Sequence, residues 1–371
     1  MDKYFTDKTK TLIVITTQTS WNEVPRMRHH TALQLSKYYN VLFVELDSFG
    51  NRTISSVSGS LVVLKLGGYI KGLNRISYLK SIFDKIQAKK INKIVIKISV
   101  TKKIILNFKF DFHDIYKFKT WSLRYYFMND DFINMPSNSS SIKKNRRRKK
   151  QNKTINSSSR IFLSGDALAS HVEDYNKKIT VIYSGHDFEI NHNYCINNNT
   201  TPVLCFMGFI HNDLEFDWLE SLAKTNNYEI RLIGPVENTS IKLRLKKFKK
   251  VKFYDPLVGA ELQHFLQKAD AFLMPYKNLE VNTVSSVPAK LFQYLACGKP
   301  IISNNLPNLI KLPSFFVYQA SSGEDFVNMV SMALNNHNED KYKQRILFAA
   351  ENTWNKRGEK INEIIVKDLN C

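Results

Sequence analysis

The chain has 371 residues, enough for about two to three domains at roughly 100–200 residues each. With 43% hydrophobic and 12% aromatic residues it can build cores, which excludes wholesale disorder. Lys and Arg number 54 against 33 Asp and Glu, a net charge of +21 that points to anionic partners: nucleic acid, an anionic membrane surface or phosphorylated substrates. Four cysteines (Cys195, Cys205, Cys297, Cys371) lack the short spacings of a zinc or redox motif, so a disulfide framework is not expected and a reducing cytosol fits.

The apolar stretch Leu12 to Ile15 near the N-terminus is too short for a signal-peptide core. No run approaches the ~18 apolar residues of a membrane span. A cytoplasmic location is expected, with any membrane contact peripheral, at the inner face of the plasma membrane.

Short β-branched and apolar runs follow in chain order: TLIVIT from Thr11, VLFVEL from Val41, LVVLKL from Leu61, KIVIKI from Lys93, RYYFM from Arg124, RIFLS from Arg160 and ITVIY from Ile179. After the polar stretch 196–202 the rhythm restarts with VLCFMG, EIRLIG, VKFY, AFLMP, PIIS and FFVY. Runs apolar on both faces read as buried parallel strands. Alternation with helical stretches predicts two α/β, doubly wound, Rossmann-like domains, with ligands outside the carboxyl ends of the strands. The expected boundaries are 1–196, 197–345 and a final helical segment 346–371.

Residues 136–160 break this rhythm. They contain no acidic residue, and eight of the eleven positions 143–153 are Lys or Arg. One reading is a solvated, disordered loop. A second is an electrostatic anchor for anionic lipid head groups, where each basic residue adds about 1 kcal/mol. Nucleic-acid binding is not expected, because no recognition motif or interleaved aromatic accompanies the charge.

The chemistry concentrates in NLEVNTVSSVPAKLFQYLACGKPIIS, residues 278–303. Leu291, Phe292, Leu295 and Ala296 have helical spacing, Pro288 suits a first turn, and Gly298 with Pro300 ends the helix. Ser286, Lys290 and Gln293 at i, i+4 and i+7 make a polar stripe, with Ser285 crowding the N-terminus. Free amides, hydroxyls and one lysine would suit a diphosphate; an ordinary amphipathic helix with serine caps reads the same way.

At PAKLFQYLACGKP the chain resembles the GT-B glycosyltransferases, particularly family 4-like enzymes of bacterial cell-surface polysaccharide assembly, the teichuronic-acid type among them. There the helix reads roughly Pro-x-Lys-Leu-x-Glu-Tyr-Leu-Ala-x-Gly-Lys-Pro. FMGFIHNDLEFDWLESLA, RLIGP, VKFYDPL and KADAFLMPY follow the family's order, as do WNEVPRMRHHTALQLSKYYNVLFVE near the start and AAENTWNKRGEKINEII near the end. The resemblance implies two domains facing a central cleft and a last helix crossing back to the first.

It also implies transfer of a sugar, by a hexosyltransferase-type, retaining route, from a UDP- or GDP-linked donor to a lipid-linked or growing polysaccharide. No cofactor and no metal would be needed. Donor contacts would come from Gly208 through its amide, Pro256, Leu257, Ser285, Ser286, Lys290 and Gln293. Many family members carry a glutamate pair aligned with Ser285 and Gln293, the second gripping the ribose; both carboxylates are absent here. A catalytically inactive GT-B domain that binds a sugar nucleotide or acts as a scaffold is therefore the alternative.

In the first domain, Asp130 and Asp131 follow a predicted strand in RYYFMNDDF, where relatives border the acceptor; an Asx turn or helix cap suits Asn-Asp-Asp equally. Arg26, Arg28, His29 and His30 open the first helix and are the candidate acceptor contacts. His113 is a further catalytic candidate.

Overall fold

The computed structural model describes residues 4–73, 76–134, 140–173, 175–194, 197, 199–237, 239–277, 287–304 and 312–371. The chain divides into two units, Met1–Tyr183 with Trp354–Cys371, and Ser184–Thr353. The first crossing thus lies earlier than the 196/197 boundary expected from the polar stretch, and the second later than 345/346. The residues just after the first crossing belong to the second unit because they bond there: the Glu189 amide donates to Gln263 and the Tyr342 hydroxyl to the Asn191 carbonyl.

In the first unit the elements are β1 (Leu12–Thr17), α1 (Met27–Leu35), β2 (Asn40–Glu45), β3 (Thr53–Ser58), β4 (Leu61–Lys65), α2 (Ser77–Val95), β5 (Lys103–Asn107), β6 (Leu123–Met128), α3 (Ser141–Ser157), β7 (Arg160–Leu163) and β8 (Lys178–Val181). The sheet order is β3-β4-β2-β1-β5-β6-β7-β8, parallel except for the β3–β4 hairpin. Every residue of β1 and β2 is buried, as expected where helices cover both faces. Leu12, Val14, Leu42 and Val44 face Ala88, Ile91 and Val95 of α2; Ile13, Ile15, Val41 and Phe43 face Ala32 and Leu35 of α1.

Three expectations are corrected here. KIVIKI is the end of α2, because Ala88, Ile91, Val95 and Ile98 are buried together at helical spacing; the strand is the shorter run β5. The hairpin strand β3 escaped notice because TISSVS is polar and exposed at the sheet edge. The basic segment is a helix, α3, rather than a loop. Lys and Arg are good helix formers, and the helix is anchored by buried Ile155 against Tyr126, Met128 and Ile161 and by Thr154 donating to the Phe110 carbonyl.

The second unit contains β9 (Val203–Met207), α4 (Phe216–Lys224), β10 (Glu229–Ile233), α5 (Thr239–Lys246), β11 (Val251–Tyr254), α6 (Gly259–Gln267), β12 (Ala271–Met274), α7 (Lys290–Ala296), β13 (Ile301–Asn304), β14 (Val317–Ala320), α8 (Gly323–Asn335) and α9 (Glu339–Ala350). Its parallel sheet runs β11-β10-β9-β12-β13-β14, with Leu204, Leu232 and Leu273 packed on Leu219, Leu222, Phe326 and Val330.

The last helix, α10 (Trp354–Leu369), returns to the first unit. It crosses α1 so closely that a Cβ on Gly358 would lie 2.4 Å from the Gln34 Cβ. Asp368 fixes its end through a two-point pair with Arg160 (2.7 and 2.8 Å) and a hydrogen bond from Tyr125 (2.9 Å). Those bonds, Arg160 foremost, pull the Asp368 carboxyl down to about 2.

Candidate functional site

In each sheet the strand order reverses beside one strand, and the crevice at the carboxyl ends there is the place where α/β folds bind ligands. In the second unit that point lies between β9 and β12, and Lys290 sits at it. Its ammonium lies 4.3 Å from the Phe206 ring centroid and 5.1 Å from that of Tyr276. These two rings belong to β9 and to the turn after β12. Opposite is Gly208, with φ +134°, where a Cβ would come within 2.5 Å of the ammonium. Among the described residues Lys290 has no carboxylate or hydrogen-bond partner, and burial pushes it down to about 7.

The helix carrying this lysine is held from below. Tyr294 stacks on Phe272 at 4.2 Å, and its hydroxyl accepts from the Met207 amide at 2.8 Å. Gln293 lies one turn along from Lys290 and is half-buried. The helix starts at Lys290, shorter than the sequence pattern suggested; Ser285 and Ser286 lie outside the described residues. The Gly208 amide is not available to a phosphate as expected, since it donates to the Ile233 carbonyl at 2.9 Å. What Gly208 contributes is the missing side chain beside the cation. Gly234, at the end of β10, backs onto it so tightly that a Cβ would meet the Gly208 carbonyl at 2.3 Å. Pro256 and Leu257 follow the edge strand β11, two strands from β9.

In the first unit the order reverses between β1 and β5. Arg28 lies there, its guanidinium 3.4 Å from the Thr17 hydroxyl, pushed down to about 10 by burial and by Arg26 while Glu23 and Asp130 oppose the shift. Asp130 and Arg28 are thus electrostatically coupled. Asp131 is the Asx-turn residue of the pair: it accepts from the Ile133 and Asn134 amides and the Asn134 side chain, and lies 3.1 Å from His171. Burial opposes its ionisation, yet the His171 and Asn134 bonds outweigh it and lower its pKa. Both of its oxygens thus have partners, Oδ1 in the turn and Oδ2 on Asn134 and His171.

His29 is likewise spent on structure. The Arg26 amide donates to Nδ1 at 3.0 Å, Nε2 bonds the Ser20 carbonyl at 2.9 Å, and the ring lies against Phe43 and Trp21. Burial lowers its pKa. His30 stacks on Trp354 at 4.4 Å, and exposed Arg26 pairs with Glu23. His113 opens a short 3-10 turn, 113–117, that contacts α2 and α3; burial lowers its pKa and its Nδ1 is buried without a partner.

Residues 216–363 match the family model described as glycosyl transferase-like. Over 160 residues the chain is 29% identical to TuaH of Bacillus subtilis (strain 168), which carries the name of a teichuronic acid biosynthesis glycosyltransferase; the match covers 41% of this chain and 40% of that protein's length. Among solved structures, trehalose-6-phosphate from E. coli bound with UDP-2-fluoro glucose superposes with a TM-score of 0.70, at 10% identity over 96% of this chain and 98% of that one. A UDP-forming trehalose-phosphate synthase from Burkholderia xenovorans gives 0.69 at 8% identity, over 97% and 100%. A glycosyltransferase from Rickettsia africae gives 0.67 at 13%, over 98% and 99%. The fold is GT-B.

Sequence reading grouped Gly208, Lys290 and Gln293 of this GT-B chain with Pro256, Leu257, Ser285 and Ser286 as donor contacts, and set Arg28 among the acceptor contacts and Asp130 among the catalytic candidates; the structure brings Lys290 beside Gly208 and Arg28 within electrostatic reach of Asp130. Sequence reading missed Phe206, Tyr276 and Gly234. Their signal was position, since each ends or immediately follows an apolar strand run. It also missed a buried ion network in the first unit, where Lys80 and Lys109 share Asp84 (2.5 and 2.6 Å) and both reach Asp47 (2.9 and 3.5 Å). Among the described residues no cluster of three or more His, Cys, Asp or Glu side chains is arranged to hold a metal ion.

Proposed function

We propose that the protein is a glycosyltransferase that takes a nucleotide-sugar through its second unit. The observation that carries this is the Lys290 ammonium: a desolvated cation at a switch point, flanked by aromatic rings, facing a bare glycine and lacking, among the described residues, any anionic partner. A buried charge without a partner is costly, and a diphosphate would supply the missing charge. In the reaction the bond from anomeric carbon to phosphate oxygen breaks as the bond to the acceptor hydroxyl oxygen forms. Negative charge develops on the leaving diphosphate, where a preorganised cation acts most strongly. In this reading Gln293 would hydrogen-bond the nucleoside end.

The resemblance to family 4-like enzymes and the likeness to TuaH support a lipid-linked or growing polysaccharide as acceptor, with Arg28 and Asp130 on the acceptor side, at the inner face of the plasma membrane. Metal independence and retention of configuration belong to the same reading. Thermal unfolding of the full chain with UDP-, GDP-, dTDP- and ADP-sugars tests it, because a ligand that binds the native state raises the midpoint by mass action. One sugar nucleotide should stabilise the protein and be consumed when acceptor is added. Stabilisation by none of them defeats the proposal; stabilisation without turnover favours the inactive, nucleotide-binding alternative.

A further inference from the structure

The layer of the first unit formed by α2 and α3 presents an outer face with a consistent chemistry. On α2, Tyr78, Leu79, Ile82 and Ile86 are 75%, 43%, 37% and 43% exposed, and 79, 82 and 86 follow one helical stripe. Single exposed apolar residues are ordinary; four within about two turns are a patch. Toward the C-terminal half of the same helix the exposed positions turn to lysine, at 85, 89, 90 and 93. The one acidic residue of α2, Asp84, points inward to Lys80 and Lys109, so no carboxylate tempers the outer face.

Both α2 and α3 contact the turn 113–117, and both pack on the same side of the sheet, since alternate residues of β6 face α1 or α3. α3 contains no acidic residue, and exposed Arg146, Arg148 and Lys149 extend the basic surface. An apolar stripe beside an acid-free field of lysine and arginine is the pattern of a helix lying in the plane of a bilayer, its side chains entering the head-group boundary while cations meet anionic lipid. A nucleic acid would match the charge but leave the apolar stripe in water.

We infer that α2 and α3 form a two-part docking face for an anionic membrane, α2 inserting Tyr78, Leu79, Ile82 and Ile86 and α3 adding electrostatic attraction. This rests on the membrane-side reading of the acceptor given above and names the surface that meets the lipid.

Sedimentation of the full chain with phosphatidylcholine vesicles, with and without phosphatidylglycerol, tests the inference. The wild-type protein should sediment only with the anionic vesicles. Changing Leu79, Ile82 and Ile86 together to Ser should weaken that binding by about ten-fold or more. Changing Arg146, Arg148 and Lys149 to Ser should weaken it chiefly at low salt, because the Debye length is only ~8 Å at physiological ionic strength. A Tyr78→Trp variant should gain blue-shifted emission on anionic vesicles relative to wild type. The inference is overturned by wild-type protein that ignores anionic vesicles, by an α2 triple variant that sediments unchanged, or by a polynucleotide that displaces the vesicles and binds the triple variant as well as wild type. Nucleotide-sugar stabilisation measured in parallel keeps the two proposals apart: it is expected to survive in every variant, and its absence throughout would count against the donor reading alone.

Discussion

The two units each hold lysines near the carboxyl ends of a parallel sheet, and they surround them differently. In the first, Lys80 and Lys109 lie among Asp47, Asp84 and Asp111, with N···O separations of 2.5 to 3.5 Å and side chains no more than 10% exposed. Burial works against the charge of Lys109, but the three carboxylates outweigh it and raise its pKa. In the second, Lys290 has aromatic faces and, among the described residues, no carboxylate, and burial drives its pKa down to about 7. A lysine whose charge is already answered helps hold the fold together; one without a carboxylate among the described residues is, on the proposed function, the candidate receptor for an anion. The contrast lies in the surroundings, since residue type and place in the sheet are shared.

The largest effect expected from breaking this contrast is on stability. Asp84→Asn removes the carboxylate that both Lys80 and Lys109 contact most closely, and removing one partner of a buried pair costs about 3–5 kcal/mol. Urea unfolding of the full chain, followed by a signal from the first unit, should show a loss of that order. Nucleotide-sugar affinity in the second unit should be unchanged. Equal stability in the variant would mean that the network is not what holds the ends of β2 and β5.

Lys290→Ala should do the reverse. Losing a hydrogen bond to a charged group weakens binding by about 1.5–3 kcal/mol, roughly ten- to hundred-fold, while the ligand-free protein loses no comparable stability because no partner is orphaned. Calorimetric titration with the sugar nucleotide that stabilises the wild type measures this directly. Unchanged affinity would remove Lys290 from the donor site and erase the contrast between the units.

How much of this was legible beforehand follows the range of the signal. Most strands of both sheets showed themselves because burial on both faces makes apolar runs that need no partner to be seen; β3, polar and exposed, and β5, overshadowed by the apolar end of α2, did not. Lys290, Gly298 and the helix between them were legible because cap, stripe and stop lie within thirteen residues. The GT-B resemblance, strongest there, rests on the same contiguity. The ion network was not legible: Asp47, Lys80 and Lys109 are scattered along the chain and meet only when β2, α2 and β5 assemble. Asp131 and His29 read as site residues because a short polar cluster after a strand, or at a helix start, looks the same whether its groups face a ligand or bond each other. Only their partners, His171 and Asn134 for one and Ser20 and Arg26 for the other, decide. The basic segment looked disordered because charge dominates its composition, and the few residues that anchor it, Gln151, Thr154 and Ile155, are outnumbered.

The pH dependence sharpens the comparison further. Lys290 ordinarily titrates at 10.5 and in the folded protein at about 7, so between those values the unfolded chain holds a proton that the native state has released. Stability then rises with pH across that window, the penalty of burying the charge being fully present below pH 7. Lys290→Met should flatten this part of the profile. A nucleotide-sugar diphosphate does not itself titrate there, so donor affinity should be greatest below pH 7 and fall above it as the free amine loses its charge. Affinity that is level from pH 6 to 9 would mean that the ammonium is not the group the diphosphate meets.

The smallest effect is expected at Gln293. Gln293→Glu introduces at this position the carboxylate that the family pattern places against the ribose diol, and a charged acceptor makes roughly twice as strong a hydrogen bond as a neutral one. Two effects oppose the gain: repulsion from the diphosphate, and attraction of the new carboxylate to Lys290, three residues before it on the same helix face. The ammonium is held between the Phe206 and Tyr276 rings beside Gly208, which limits the second, and the net expectation is tighter nucleotide-sugar binding by about 1 kcal/mol or less. The opposite result would also be informative. If the variant binds more weakly while its thermal midpoint rises, the new carboxylate has paired with Lys290, and one substitution has turned the open lysine of the second unit into a satisfied one like those of the first.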